Sequence, residues 1–91
     1  MSDDKIVFPR DGQGFRAEVK LPGFHVVLLT THSAMGPGAS VYDATNKRWA
    51  FREWVDNFED GKAKAENYGR KFHRAVGIKE AFPALEWNET G

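Results

Sequence analysis

Ninety-one residues with no net formal charge, 41% hydrophobic and 29% charged, suffice for one packed core and are too few for two. Seven Phe, three Trp and two Tyr exclude a disordered chain, and the absence of cysteine excludes a disulfide framework, a thiolate nucleophile and a Cys-based metal site. The neutral balance also argues against a dedicated nucleic-acid domain, whose affinity comes largely from neutralising phosphates.

The amino-terminal MSDDKIVFPRDG places two acids where a secretory leader has basic residues, and its apolar run IVF is too short for a leader's core. No stretch approaches the ~20 apolar residues of a membrane span. A cytoplasmic protein with no membrane contact is expected, a single domain over 1–91 with residues 1–12 as a mobile arm. Charge is uneven along the chain: residues 1–45 carry −1, residues 46–77 carry +3 and residues 78–91 carry −2. The middle third is mildly basic.

The segment FRAEVKL alternates, with Phe15, Ala17, Val19 and Leu21 on one face and Arg16, Glu18 and Lys20 on the other, the pattern of a half-buried strand. Pro22-Gly23 turns it back into FHVVLLTT. There both faces are apolar, which predicts a central strand covered on each side. Gly36-Pro37-Gly38 reads as a loop. Two further β-prone runs flank Asp43-Ala44-Thr45-Asn46-Lys47, a second hairpin with Asn and Asp available for positive-φ positions. On strict alternation its return strand places Trp49, Phe51 and Val55 on a core face, interrupted by Glu53, and Arg48, Ala50, Arg52 and Trp54 on the other.

From Phe58 the period changes. Phe58, Gly61, Ala65, Tyr68, Phe72, Ala75 and Val76 recur at three and four, one face of an amphipathic helix. Asn57 is placed to cap it with Asp60 three residues on, and Gly77 to end it. Glu59 and Asp60 open the helix and Arg70, Lys71, His73 and Arg74 lie toward its end, as the macrodipole favours. Gly61, Ala65 and Gly69 form a smooth ridge, either for close approach to the chain's own sheet or as a groove for a partner. Beyond Gly77, Ile78, Phe82, Leu85 and Trp87 are too apolar to float free, and Pro83 prevents a continuous helix. The expected fold is α+β: a small antiparallel sheet of about four strands, made of two successive hairpins, is covered on one face by a single carboxy-terminal amphipathic helix. Residues 78–91 pack back as an apolar tail, with Ala84–Trp87 as a short strand.

Chemistry is sparse. His25, His32 and His73 do not stand at metal-ligand spacing. Ser33 beside His32 lacks an elbow motif, and neighbours on an extended chain point apart. Gly36-Pro37-Gly38 lacks the Gly-Lys-Ser/Thr of a phosphate loop. The Glu59/Asp60 pair is explained by the helix terminus, and Asp3/Asp4 lie in the arm. No enzyme, no cofactor and no metal is expected.

Binding remains, centred on NKRWAFREW (46–54). A small non-catalytic protein-binding module is expected, of the compact kind that phages and mobile elements encode as inhibitors or adaptors. Tyr42, Lys47, Arg48, Arg52, Trp54 and Trp87 are its candidate contacts, because Trp, Tyr and Arg are the residue types enriched at binding hot spots. The alternative is a nucleic-acid-binding domain, with Trp54 as stacking platform and Lys47, Arg48, Arg52, Arg70 and Arg74 as phosphate contacts. The predicted order, four strands and then a helix, is similar in layout to the three-stranded sheet plus helix of integrase arm-binding and plant AP2-type domains, and loosely to the double-stranded RNA-binding domain without its leading helix. That likeness implies nucleic-acid reading by the sheet and carries no motif residue. A homodimer is a further arrangement open to so small a domain.

Overall fold

The computed structural model describes residues 12–90; the arm expected over 1–12 lies outside them except for Gly12. Along the chain run β1 (Gly14–Leu21), β2 (Phe24–Ser33), β3 (Gly36–Asp43), β4 (Arg48–Trp54), α1 (Phe58–Val76) and β5 (Asn88–Thr90). The strands form one 5-stranded antiparallel sheet in the order β4-β3-β2-β1-β5, with α1 packed on one face of it. The expected α+β class and the central place of β2 both hold.

Local chemistry explains the turns. Pro22 presets φ for the first hairpin and Gly23, at φ 75°, supplies its left-handed position. The Gly36-Pro37-Gly38 stretch is not a loop but the start of β3. The connection from β2 is only Ala34-Met35, tightened by the Ser33 hydroxyl, which donates to Gly36 O at 3.1 Å and accepts from Met35 N at 3.2 Å. Pro37 is tolerated inside the sheet because it lies at the end of the β3–β4 ladder. Its carbonyl accepts from Val55 N at 3.1 Å, so the donor it lacks would have served only that terminal pair. In the second hairpin the left-handed position falls on Lys47, at φ 57°, and not on Asn or Asp. Asp43, 2% exposed, instead collects three donors: Thr45 N at 3.1 Å, Asn46 N at 3.2 Å and Asn46 Nδ2 at 2.7 Å.

Helix α1 starts and stops where its caps dictate. Asn57 Oδ1 accepts from Asp60 N at 2.8 Å, and Gly77, at φ 80°, donates its N–H to the carbonyls of His73 and Arg74. Its inward ridge is Gly61, Ala65, Gly69 and His73, all buried. A Cβ on Gly61 would collide with Thr30 Oγ1 and lie 2.7 Å from Thr30 Cβ; one on Gly69 would lie 3.2 Å from Leu28 Cδ2. The ridge therefore seats the helix on the chain's own sheet and offers no partner groove. Ala75 and Val76, expected on the inward face, are exposed, because the helix runs past the end of the sheet after His73 meets the Phe24 ring at 5.4 Å.

Beneath the helix lie Ala17, Val19, Phe24, Val26, Leu28, Ala39 and Val41, joined by Ala65. The tail closes the core. His73 Nε2 donates to Glu80 O at 2.6 Å, turning the chain back so that Ile78, Phe82, Leu85 and Trp87 pack against the core. Leu85 and Trp87 are half-buried against the core, and strand pairing begins after them. The short strand is Asn88–Thr90, opposite Gly14 to Arg16, and not Ala84–Trp87.

Candidate binding face on the open side of the sheet

The cover expected on both sides of β2 exists on one. Phe24, Val26, Leu28 and Thr30 face α1 and are buried, whereas Val27 and Leu29 are only half-buried. Among the described residues no element lies over them. Register arranges this open face in rows: Glu18, Val27, Tyr42 and Trp49; then Arg16, Leu29, Ser40 and Arg52; then Thr31, Gly38 and Trp54.

Trp49 belongs to this face because of a bulge. Tyr42 pairs with Trp49 and Val41 with Phe51, so Ala50 is an extra residue in β4 and the register shifts there. Strict alternation puts Trp49 under the helix with Phe51; the bulge separates them. Phe51 stacks on Tyr68 of α1 at 4.6 Å between centroids. Trp49, 49% exposed, meets Tyr42 edge-on at 5.0 Å and lies 5.5 Å beneath the Arg52 guanidinium. Trp54, 60% exposed, stands over Gly38, where an added Cβ would lie 3.7 Å from its Cε3. Between Trp54, Arg52, Ser40, Thr31 and Ser33 is a hollow of about 330 Å³.

The far side of the face is polar. Glu18 is bonded to the His25 ring and lies 3.6 Å from Arg16. The His25 contact, with Arg16 and Lys20 adding to it, holds the Glu18 carboxyl below the usual glutamate range. On the helix side of β4, Glu53 pairs with Lys64 Nζ at 2.7 Å, which pushes the lysine up. A second hollow of about 190 Å³ opens there, over Phe51 and Tyr68 and beside Lys71.

Of the residues proposed as partner contacts, the fold gathers Tyr42, Arg52 and Trp54 and separates the rest. Lys47 is in the turn, and Arg48 lies opposite buried Asp43 on the helix-covered side. Trp87 packs against the core. The nucleic-acid set divides likewise, with only Arg52 and Trp54 on the open face. Arg70 is held on the helix by Glu66, at 2.9 Å, and lies over the Phe82 ring at 4.8 Å; Arg74 is in the last helical turn. Sequence reasoning missed Val27, Leu29 and Trp49 as surface residues. The doubly apolar β2 is the signal for the first two; nothing local marks the bulge that exposes the third.

His25, on the open face, and His73, under the tail, are both accounted for by structural contacts. Among the described residues no group of His, Asp and Glu is placed to hold a metal ion, and no helix is long and apolar enough to cross a membrane. Comparison with known proteins brings no match to this chain, whether by family model, by sequence to curated proteins or by shape to solved structures.

Proposed function

We propose that this domain is a protein-binding module that docks its partner on the open sheet face around Trp49 and Trp54, acting as an inhibitor or adaptor without catalysis of its own. One observation carries the reading. The fold collects Tyr42, Trp49, Trp54, Val27 and Leu29 into a single apolar and aromatic patch, with Arg16, Glu18 and Arg52 at its margin, while it scatters the cations over different faces. An apolar centre with a mixed-charge rim is the anatomy of a protein interface, and exposed Trp, Tyr and Arg are its usual anchors. A track for a nucleic-acid backbone needs cations running together alongside the stacking rings; among the described residues of β4 and its turn, Arg52 shares the open face with Trp49 and Trp54, while Lys47 is in the turn and Arg48 lies on the helix-covered side.

The test is capture from the native host on immobilised protein, read by mass spectrometry with and without nuclease. Wild type is expected to retain a specific protein that Trp49→Ala and Trp54→Ala each lose, a truncation of an interface anchor being worth ~2 kcal/mol or more. Both side chains are exposed, so the variants should melt as wild type does. Retention that survives both substitutions, or that vanishes with nuclease, overturns the reading.

A further inference from the structure

Strand β4 ends the sheet, and its outer edge is unpaired among the described residues. The direction of its backbone groups follows from the ladder. Val55 N donates to Pro37 O, which makes these two a hydrogen-bonded pair. Alternation along an antiparallel ladder then makes Glu53 and Phe51 the residues bonded to β3. The N–H and C=O groups of Arg52 and Trp54 therefore point outward, away from the sheet.

Both sides of that edge are shaped and charged. The hollow of about 330 Å³ beside Trp54 lies on its open side, and the hollow of about 190 Å³ over the Phe51–Tyr68 stack lies on its helix side. Lys47, Arg48 and Arg52 stand on the strand and its turn, and Lys64 and Lys71 face it from α1. The acids near them are engaged within the fold: Glu53 is tied to Lys64, which also feels Asp56 and Asp60, and Asp43 is buried under the turn with its three donors.

We infer that the β4 edge takes an extended acidic segment of the partner protein as an added strand, with alternate side chains entering the two hollows. This rests on the protein-binding reading and specifies how the partner is held. Strand addition derives affinity from main-chain bonds and specificity from pockets for alternate side chains. Residues of the incoming strand opposite Arg52 and Trp54 put apolar side chains beside Trp54 and Trp49. The residue opposite Phe51 puts a carboxylate over the Phe51–Tyr68 stack, within the hollow that Lys71 lines. The motif, in β4 order, is acid, apolar, any, apolar. Cations and a bulge also guard an edge against unwanted pairing, but guarding does not call for two exposed tryptophans and a hollow on each side.

The experiment pans a display library of random dodecapeptides on the full chain and measures the enriched peptides by fluorescence polarisation. Peptides carrying that acidic and apolar alternation should be enriched. Arg52→Pro removes an outward donor without touching the β3 ladder, so it should weaken them by about tenfold or more beyond Arg52→Ala, the worth of one or two hydrogen bonds. Lys71→Glu should weaken them too. In unaltered protein, amide exchange at Arg52 and Trp54 should slow when peptide binds, which tests the edge even if the proline variant folds poorly. Enrichment without acids, or unchanged exchange at these amides, overturns the inference. If Trp49→Ala abolishes binding while Arg52→Pro matches Arg52→Ala and the amides exchange freely, partners dock on the face alone; the protein-binding reading then stands and the added strand falls. Peptides indifferent to both variants sink both ideas. A dimer in sedimentation that Arg52→Pro disperses would assign the edge to a second copy, and random single-stranded DNA displacing the peptides would assign it to nucleic acid. Either outcome overturns the peptide proposal.

Discussion

Thr30 and Gly61 meet where the helix comes nearest the sheet. Thr30 is fully buried, and its hydroxyl has no hydrogen-bond partner among the described residues. That arrangement survives because Gly61 leaves no side chain to displace it. A glycine inside a helix costs about 1 kcal/mol relative to alanine, so Gly61→Ala on an open helix would stabilise. Here the new methyl would strike Thr30 Oγ1 and press on Thr30 Cβ at 2.7 Å and Val55 Cγ2 at 3.3 Å. Gly61→Ala is therefore expected to lose roughly 1–3 kcal/mol, as overpacked cores do. Thr30→Ala removes an orphaned hydroxyl along with a methyl, and in the double variant it should recover part of the loss. Urea denaturation of the four proteins measures the coupling. Additive effects would mean that helix and sheet do not touch at this point.

At the scale of elements, what the sequence discloses depends on how local its cause is. The helix was legible to the residue, because Asn57, Glu59, Asp60 and Gly77 act within one turn of themselves and the period of the apolar residues is long enough to be unmistakable. The first hairpin was legible for the same reason, since Pro22-Gly23 admits few other geometries. Strand β4 misleads because Ala50 adds a residue to the ladder, and whether a ladder has an extra residue depends on its partner strand, not on its own composition. Strict alternation therefore assigns Trp49 to the core, and half of the candidate binding face goes unseen. The bulge has a testable consequence. Deleting Ala50 should leave Trp49 and Phe51 on opposite faces, now as ordinary neighbours, so acrylamide should quench Trp49 as before. What should change is the edge, which loses the local twist a bulge imparts and becomes flatter and more prone to pair with itself. Sedimentation should show increased self-association; a Trp49 that becomes shielded in monomeric protein would show the register to be otherwise.

For the whole molecule, one helix covers only the middle of one sheet face, and the tail packs against the same core and adds β5 beside β1. Ile78, Phe82, Leu85 and Trp87 all pack on the core, and full burial of such side chains is worth roughly 1.5–3 kcal/mol each. Their partial burial brings less, yet four together rival the ~5–15 kcal/mol by which small domains are stable. Ending the chain after Gly77 should abolish the cooperative melt in calorimetry. A truncated chain that still melts sharply would assign the core to the hairpins and helix alone. None of this was readable from propensity: Pro83 and the lack of any period in 78–87 mark the segment as irregular, and only its apolar content hints that it is buried.

The pairing of β5 with β1 joins strands from opposite ends of the described chain, and Thr90 Oγ1 also bonds Gly12 O at 2.9 Å. During synthesis the two hairpins emerge before residues 88–90, so the outer side of β1 waits for a strand made well after its own. At ~5–20 residues per second, the stretch from β1 to β5 takes roughly 4–15 s to make, far longer than the ~1–10 μs in which a hairpin forms. Each nascent chain thus passes several seconds with an unsealed sheet margin and an open flank of core, a state in which unpaired strand edges are prone to aggregate.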